Sequence, residues 1–407
     1  MGKFFYLCFQ IAIVLGIGRL IVLCGLAFWD RHKNSRRIPP EPNPEALPVS
    51  VLIPAYNEEV VIASTVERIL ASDYPGLEVI VIDDGSKDRT TEVLNNRFGD
   101  DPRVTILTID NSGKATALNT GLARANGEIV VALDADTLFR RDTISRLARW
   151  FVDPAIGAVA GNAKVGNRIN MITRWQALEY IVAQNLERRA LAALDTLTVV
   201  PGAVGAWRRS VLVELGGFPL DTLAEDQDLT IAVQRAGHSV LFDSSAIART
   251  EAPASFRGLA RQRFRWAYGT LQCLWKYRDV TFNPKYGALG MIALPQVWLF
   301  QIALSALAPP RGLLVSLAGA DSADELPAAR RGVQSGKRPE SRDLLWHFRR
   351  GRSLGRGCRF PDGKARAVEP AVVADAAAIR LSPADVLCRR ALDIRGAARA
   401  VGRLGEA

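Results

Sequence analysis

The sequence predicts an α/β domain built on a mainly parallel β-sheet with helices on both faces. Between residues 49 and 151, short apolar runs alternate with segments of helical periodicity. Such alternation is typical of parallel sheets, whose ligands bind beyond the carboxyl ends of the strands. Hydrophobic residues make up 48% of the 407-residue chain, which is enough for a packed core.

The elements follow from this pattern in chain order. The predicted strands are Val49–Ile53, Glu78–Ile82, Val104–Leu107 and Ile129–Leu133, and the predicted helices between and after them are Glu58–Ala71, Asp88–Arg97, Lys114–Ala125 and Asp142–Phe151. Farther along, we expect a helix over 172–194, a strand over Leu197–Val200, a helix from about Glu225 and an amphipathic segment Phe256–Lys276. No G-x-G-x-x-G turn follows the first strand, which argues against a dinucleotide-binding site.

An apolar stretch near the amino terminus, Phe4–Trp29, is long enough to cross a hydrocarbon layer of about 30 Å. We interpret it as a transmembrane helix rather than a cleaved signal peptide, because no small-residue cleavage site precedes the charged residues 30–33. Arg19 inside the span is expected to snorkel or to face a partner helix. Basic residues follow the span, so the next domain is predicted to be cytoplasmic, at the cell (inner) membrane.

Changes in composition divide the chain into segments. We assign a transmembrane helix (1–30), a proline-rich linker (31–48), the α/β domain (49–255), an amphipathic interfacial segment (256–286), a second transmembrane segment (287–309) and an arginine-rich tail (310–407). Residues 311–407 hold about 19 Lys and Arg against about 11 Asp and Glu, so most of the net charge of +10 lies there. Two interpretations of the tail stay open: translation in a shifted frame, or a disordered or nucleic-acid-binding extension.

Cysteine and histidine usage excludes several classes of site. Five cysteines are scattered without a C-x-x-C pair, which argues against a disulfide framework and against a zinc site. Three histidines leave little for a histidine-centred metal cluster or a serine triad.

Acidic residues stand where two predicted strands reach the same sheet edge. Asp83 and Asp84 end the second strand, where a base and ribose could hydrogen-bond to the loop. Asp134 and Asp136 end the fourth strand, and an extended chain would point both carboxylates the same way, as suits a divalent cation bound to phosphates. Turn chemistry is the alternative for either pair alone. Both pairs together favour a nucleotide-diphosphate and metal site.

Two later segments carry further candidates. Residues 225–228 (Glu-Asp-Gln-Asp) open a predicted helix, where carboxylates either cap the helix or remove a proton from a hydroxyl. Residues 262–266 (Gln-Arg-Phe-Arg-Trp) combine a planar cation suited to diphosphate with an indole suited to a sugar face. A basic helix lying on anionic lipid is the alternative, and it is compatible with the first interpretation.

Taken in order, these residues resemble the processive family 2 glycosyltransferases, the group of cellulose, chitin, hyaluronan and poly-N-acetylglucosamine synthases. The resemblance covers about residues 49 to 308 and rests on Pro54–Glu58, Asp83–Ser86, Gly113–Ala115 with Ala117–Asn119, Asp134–Asp136, Glu225–Asp226 and the Q-x-x-R-W pattern of Gln262, Arg265 and Trp266. It implies a GT-A type, Rossmann-like nucleotide-sugar-binding domain with flanking transmembrane helices.

The resemblance also implies roles for individual residues. Nucleotide binding is expected of Ala55, Tyr56, Glu58, Asp83, Asp84, Lys114 and Asp134. Asp136, helped by Asp134, is expected to hold Mg²⁺ or Mn²⁺, and Asp226 to be the general base of an inverting transfer. Diphosphate and acceptor contacts are expected of Glu225, Gln262, Arg265 and Trp266, the last stacking on the terminal acceptor sugar.

The expected reaction is metal-dependent transfer of a sugar from a UDP-sugar to a growing β-linked polysaccharide. N-acetylglucosamine is preferred and glucose comes next, because the segments around Asp226 and Gln262 look most like the chitin-oligosaccharide and poly-N-acetylglucosamine branch. The loop Pro201–Gly205, which differs from that of some synthases, is expected to line the acceptor.

The expected partners are the UDP-sugar, the polysaccharide acceptor, the lipid bilayer, and accessory export or regulatory proteins, with no nucleic acid. Two alternatives stay open. One is transfer of a single sugar to a lipid phosphate or small acceptor. The other is a membrane-tethered basic module that acts through residues 311–407.

Overall fold

One mixed eight-stranded sheet forms the centre of the computed structural model, which describes residues 2–34 and 47–304. The arginine-rich tail, most of the proline-rich linker and the end of the second expected span lie outside these residues. The strand order is β3-β2-β1-β4-β7-β6-β8-β5. The strands are β1 Val49–Ala55, β2 Leu77–Asp84, β3 Val104–Ile109, β4 Ile129–Ala132, β5 Leu138–Phe139, β6 Ile156–Val165, β7 Gly205–Arg208 and β8 Ser239–Thr250.

The first four long strands form a parallel half-sheet, as the apolar runs predict. β1 pairs in parallel with β2 on one side and with β4 on the other, and β2 pairs in parallel with β3. Alternate residues of β1 point to opposite faces, and both faces are buried. The carboxyl ends of β1, β2 and β4 therefore meet at one edge.

The second half of the sheet contains antiparallel pairs. β7 runs antiparallel to both β4 and β6, β6 pairs in parallel with β8, and the short β5 runs antiparallel to β8. β6 and β8 were not predicted from the sequence. Ala and Gly make up much of β6, and polar residues 243–245 interrupt β8, so neither shows a strong strand pattern.

The expected strand Leu197–Val200 is wrong, because this segment is irregular. Side chains of the later helix Glu225–Arg235 form hydrogen bonds with its backbone groups. The Thr230 hydroxyl accepts from the Val200 amide at 2.8 Å, and the Gln234 amide group donates to the Leu197 carbonyl. The paired strand lies instead at β7, a few residues later.

The helices cover both faces of the sheet. They are α1 Gly2–Asn34, α2 Ile62–Leu70, α3 Thr90–Phe98, α4 Lys114–Arg124, α5 Thr143–Ala148, α6 Met171–Glu179, α7 Leu186–Ala192, α8 Arg209–Glu214, α9 Glu225–Arg235, α10 Phe256–Lys276 and α11 Leu294–Val297. Helices α2, α3 and α5 bury apolar residues in one cluster, and α4, α8 and α9 bury theirs in a second cluster. Short 3₁₀ turns stand at Arg149–Val152 and Pro284–Tyr286.

The helix expected over 172–194 is present in three parts. Asn170 caps α6 with its side chain, which accepts from the Thr173 amide at 3.0 Å. A π-helical segment, Tyr180–Asn185, joins α6 to α7. The register shift of a π-helix is common at functional sites.

Among the described residues, one helix is long and apolar enough to cross a membrane, judged by length and composition. It is the stretch Gln10–Asp30 of α1, with a mean hydropathy of 2.5. Leu23 and Ala27 of this stretch pack against Ala190 of α7. The second expected span begins with the shorter apolar helix Leu289–Ala303, which contains α11 between two π-helical segments.

Candidate active site

The loops that follow β1 and β2 are tied together at the carboxyl edge of the sheet. Asn57, which has a positive φ of 57°, accepts from the Lys87 amide at 2.8 Å and donates from its own amide to Ser86 Oγ at 2.9 Å. The Glu58 amide donates to Thr90 Oγ1 at 2.8 Å. Next to these bonds the Tyr56 side chain is exposed. The two loops form a fixed cradle with an accessible aromatic ring.

The adjacent carboxylates of Asp83 and Asp84 are buried, with 0% and 5% of each residue exposed. Asp83 accepts from the Ser86 amide at 2.9 Å and from the Thr91 hydroxyl. Asp84 accepts from the amides of Ser112 and Gly113 at 2.8 and 2.9 Å. Both side chains therefore stabilise turns, and their expected role with the nucleotide stays a prediction.

Lys114 joins the loop that follows β4 to the start of α9. It is the first residue of α4, and its Nζ lies 2.7 Å from Oδ1 of Asp134 and 3.0 Å from Oε1 of Glu225. Burial acts to lower the pKa of Lys114, but the two carboxylates outweigh it and raise the pKa above its usual value. The ammonium group stays charged at neutral pH, and three of the predicted site residues lie together.

The pair Asp134 and Asp136 lies in a turn, so the extended geometry expected from the sequence is wrong. β4 already ends at Ala132, and the Thr137 amide donates to the Asp134 carbonyl at 3.0 Å. The Asp136 carboxylate accepts from the hydroxyls of Thr137 and Thr250 at 3.3 and 3.2 Å. Burial and the nearby Asp134 carboxylate raise the pKa of Asp136 to about 6.

Two glutamates add negative charge around Asp136. Burial, and then the Asp136 and Glu251 carboxylates, raise the pKa of Glu58 to about 7. Glu251 directly follows β8, and sequence reasoning missed it because β8 itself was not predicted. The concentrated negative charge around Glu58 and Asp136 favours a bound cation there.

No set of three or more Asp, Glu, His or Cys side chains is arranged to hold a metal ion by itself within residues 2–34 and 47–304. The donors at Asp134 and Asp136 are hard oxygens, which suit Mg²⁺ or Mn²⁺ when substrate phosphates and water supply the remaining ligands. The residues present therefore fit a cation that arrives with a diphosphate.

Asp226 lies in the first turn of α9 and faces the loop 201–205. Its Oδ2 accepts from the Gly202 amide at 3.2 Å and its Oδ1 from the Gln227 amide at 2.8 Å. Burial and the Glu225 carboxylate raise the pKa of Asp226 to about 6, although Lys114 and the two amides act against them. A Cβ added at Gly202 would lie 2.8 Å from Lys114 Nζ, so only glycine leaves this amine in place.

The Q-x-x-R-W residues lie on α10 in three different environments. Gln262 has a buried Oε1 without a hydrogen-bond partner in the part of the chain described. Arg265 is exposed. Trp266 packs against the hydrophobic core, and the Arg263 guanidinium covers its ring at 4.6 Å from the centroid. The expected contacts of Gln262, Arg265 and Trp266 with diphosphate and acceptor stay predictions.

No motif in the sequence marks Arg188, which lies on α7. Its Nη2 donates to Gln184 Oε1 at 3.3 Å, and its charge interacts with Asp226 and Tyr180. Burial lowers the pKa of the Arg188 guanidinium, and interactions with Asp226, Tyr180 and Glu187 partly offset that effect. A second arginine, Arg189, follows at once, so the sequence pattern cannot tell which of the two faces the site.

Comparison with known proteins identifies the class of protein that this fold and site define. The glycosyltransferase-like family 2 model matches residues 44–269, more than half of the chain, and the chain belongs to this family. The resemblance seen in the sequence motifs is thereby confirmed, together with the GT-A type α/β fold.

Two curated relatives match at moderate identity. The probable glycosyltransferase YdaM of Bacillus subtilis (strain 168) is 36% identical over 252 residues, which are 60% of this chain and 60% of that protein. Poly-β-1,6-N-acetyl-D-glucosamine synthase of Staphylococcus aureus (strain COL) is 28% identical over 261 residues, 63% of each chain. The match thus spans about three-fifths of the length of these relatives.

A solved structure shares the fold. The mannosyltransferase PcManGT from Pyrobaculum calidifontis, in complex with GDP-Man and Mn²⁺, has a TM-score of 0.55 and 26% sequence identity. The alignment covers 78% of this chain and 92% of that one.

Proposed function

We propose that this chain transfers N-acetylglucosamine from a UDP-sugar to a growing β-linked polysaccharide at a membrane, with inversion at the anomeric carbon. The observation that supports the proposal is the chain of contacts Asp134–Lys114–Glu225, which joins the loop that follows β4 to the residue next to the candidate base Asp226. The named activity of the poly-β-1,6-N-acetyl-D-glucosamine synthase relative supports the choice of sugar.

In this proposal the donor occupies the carboxyl edge of the half-sheet β1, β2, β3 and β4. The cradle of the β1 and β2 loops, with Tyr56 and Glu58, holds the uridine, and Asp83 and Asp84 keep that cradle in shape. Asp134 and Asp136 would hold Mg²⁺ or Mn²⁺, which, when bound, offsets the charge of the diphosphate leaving group. Lys114 places a fixed positive charge between the two carboxylates that its amine contacts.

The proton step belongs to Asp226. Its carboxylate takes the proton of the attacking acceptor hydroxyl as the bond to the anomeric carbon forms. The pKa of about 6 keeps most of this group ionised at neutral pH and still basic enough to accept the proton. Gln262, whose buried Oε1 has no hydrogen-bond partner within the described residues, would serve the diphosphate and acceptor together with Arg265 and Trp266.

The membrane part of the proposal rests on α1, which would anchor the catalytic domain on the cytoplasmic side of the cell membrane. The apolar stretch Gln10–Asp30 has the length for one crossing. Packing of Leu23 and Ala27 on α7 holds the domain against the end of that helix.

The test uses membranes that contain the full chain, incubated with UDP-N-acetylglucosamine or UDP-glucose and Mg²⁺. Polymer formation and UDP release are measured for the wild type, Asp226→Asn and the surface control Asp100→Asn. We expect polymer from UDP-N-acetylglucosamine, loss of about 10²- to 10⁴-fold in Asp226→Asn, and no loss in Asp100→Asn.

Three outcomes would contradict parts of the proposal. Equal UDP release by wild type and Asp226→Asn removes the assigned base. Activity that survives EDTA removes the metal role of Asp134 and Asp136. Products that carry a single added sugar remove the polysaccharide acceptor in favour of a lipid phosphate or small acceptor.

A further inference from the structure

Helix α6 is bonded to the beginning of α10 by side chains. The Gln176 amide group donates to the Pro253 carbonyl, three residues before α10 begins, at 2.8 Å. The last residue of α6, Glu179, forms an ion pair with Arg263 of α10, with 2.5 Å between Oε2 and Nη2. These two contacts hold the first half of α10 against α6.

Arg263 lies between Glu179 and Trp266 and contacts both. Its Nη2 donates to the Glu179 carboxylate, and its guanidinium carbon lies 4.6 Å from the centroid of the Trp266 ring. Arg263 and Trp266 are three residues apart on α10, so they share one face of that helix. A guanidinium is planar, and a cation over an indole face is attracted to the ring. The bond to Glu179 therefore restricts how the cation lies over the indole.

The ion pair has more influence on the indole than on the stability of the fold. The side chains of Arg263 and Glu179 are 27% and 38% exposed, and a partly exposed ion pair contributes little to stability. Trp266 is only partly buried where it packs against the hydrophobic core. Core packing therefore leaves part of the indole accessible, and the guanidinium covers one ring face, so that a sugar has only the remaining surface for stacking.

We propose that Arg263, held by Glu179, is a positioning residue for the acceptor sugar. It fixes the orientation of the Trp266 indole, on which the terminal sugar of the acceptor stacks. This inference rests on the proposed function. It adds one residue at an unspecified position of the Q-x-x-R-W pattern and one residue of α6, which lies outside the motifs. An effect on acceptor binding is expected, and none on donor binding, because Trp266 is assigned to the acceptor alone.

The test measures donor and acceptor kinetics separately, with the purified full chain in lipid nanodiscs. UDP-N-acetylglucosamine is the donor and a short β-linked N-acetylglucosamine oligosaccharide is the acceptor. The single variants are Arg263→Gln, Arg263→Lys, Glu179→Gln and Trp266→Leu, and the double variant combines Arg263→Gln with Trp266→Leu. The matched control is Arg261→Gln, which removes one charge from an exposed position of the same helix.

We expect Arg263→Gln to raise the acceptor KM by about 5- to 30-fold, as loss of a partly desolvated cation–π contact does. Arg263→Lys should give an intermediate value, because lysine keeps the charge and loses the planar fork. Glu179→Gln should raise the acceptor KM by about two- to fivefold, since the guanidinium stays but is no longer held. The donor KM and the hydrolysis of donor without acceptor should stay within about twofold of the wild type. Arg261→Gln should match the wild type.

The double variant tests whether Arg263 acts through the indole. Once Trp266→Leu has removed the ring, no stacking surface is left to position. Adding Arg263→Gln to Trp266→Leu should therefore change the acceptor KM by less than about twofold. If Arg263→Gln instead has the same effect with and without the ring, Arg263 acts independently of Trp266 and the inference is wrong.

The other outcomes separate this inference from the proposed function. Wild-type transfer together with an unchanged acceptor KM in Arg263→Gln overturns the role of Arg263 and leaves the proposed function in place. Parallel losses of donor binding, donor hydrolysis and thermal stability in Arg263→Gln and Glu179→Gln make the ion pair structural and also overturn that role. Failure of the wild type to use any UDP-sugar removes the proposed function, and this inference with it.

Discussion

Arg19 of α1 and Glu187 of α7 form an ion pair, with 2.6 Å between Nη2 and Oε1. The guanidinium also donates to Gln296 Oε1 at 3.0 Å and lies over the Phe300 ring. An unpaired charge inside an apolar helix costs free energy. Here three side chains from two other helical segments contact Arg19. The position that breaks the apolar run is thus the position that attaches α1 to the rest of the protein.

A double-mutant cycle with Arg19→Gln and Glu187→Gln should measure a coupling energy of about 1–3 kcal/mol in the thermal unfolding of the detergent-solubilised protein. The pair Arg97 and Glu67 is a matched control, because it has the same 2.6 Å separation but is 60% and 46% exposed. We expect that surface pair to couple by less than about 1 kcal/mol. Equal coupling energies for both pairs would contradict the anchoring role of Arg19.

The pH dependence of transfer should follow Asp226. Burial and the Glu225 carboxylate hold the pKa of Asp226 at about 6, and the protonated acid cannot accept the proton of the acceptor. The kcat should therefore fall about tenfold for each pH unit below about 6 and level off above it. Steady-state rates between pH 4.5 and 8 check this, and a rate that is constant down to pH 4.5 would rule out Asp226 as the base.

Asp226→Asn should stabilise the fold while it removes activity. The folded state raises the pKa of Asp226 from 3.8 to about 6, so it favours the neutral form and loses stability as pH rises through that range. The neutral amide avoids this loss, and we expect a gain of about 1–3 kcal/mol at pH 7.5 that vanishes near pH 4. Denaturant unfolding at the two pH values measures this gain in unfolding free energy. An equal gain at both pH values would mean that the ionisation of Asp226 is not its cause.

The charge of Lys114 should keep the base ionised. Lys114 lowers the pKa of Asp226, so Lys114→Met should move the acidic limb of the rate profile to higher pH. The same variant leaves Asp134 and Glu225 without their shared cation, and we expect weaker UDP binding by isothermal titration. The surface variant Lys285→Met should change neither quantity. If the pH–rate profile of Lys114→Met matched that of the wild type, Lys114 would have no effect on the pKa of Asp226.

The sequence predicts a strand correctly where its backbone pairs with other strands, and it fails where distant side chains bond to that backbone instead. β1 was predicted well, because its apolar run is paired on both sides by backbone alone. The segment Leu197–Val200 is equally apolar, yet Thr230 and Gln234 take its backbone groups, and no local pattern reveals such distant partners. Tertiary contacts override local preference there.

The same distinction applies to the candidate site. Asp134 and Asp136 could be found because they follow a predicted strand and match a family motif. Arg188 and Glu251 could not, since their relation to Asp226 and Asp136 arises only when α7 and β8 take their places. The turn at Asp134 also depends on a backbone bond from Thr137 that residue spacing does not encode.

A tight helix contact gives a steric prediction. A Cβ on Gly269 of α10 would lie 2.7 Å from the Cβ of Ala224 and 2.8 Å from its amide nitrogen, at the start of α9. Gly269→Ala should therefore destabilise the fold by about 1–3 kcal/mol and lower kcat, because it pushes α10 away from Asp226. Gly25→Ala is the control, since nothing lies within 4 Å of the added methyl group. Equal melting temperatures of the two variants would contradict the contact.

Asp228 of α9 forms hydrogen bonds to residues at the end of α10. Its fully buried carboxylate accepts from Tyr277 at 2.7 Å, from Lys276 at 2.9 Å and from Thr222 at 2.9 Å. The helix that carries the proposed base Asp226 is therefore bonded to the helix that carries Gln262, Arg265 and Trp266. We expect a tilt of α10 to move Asp226 with it, so that the proposed acceptor contacts and the proposed base shift together.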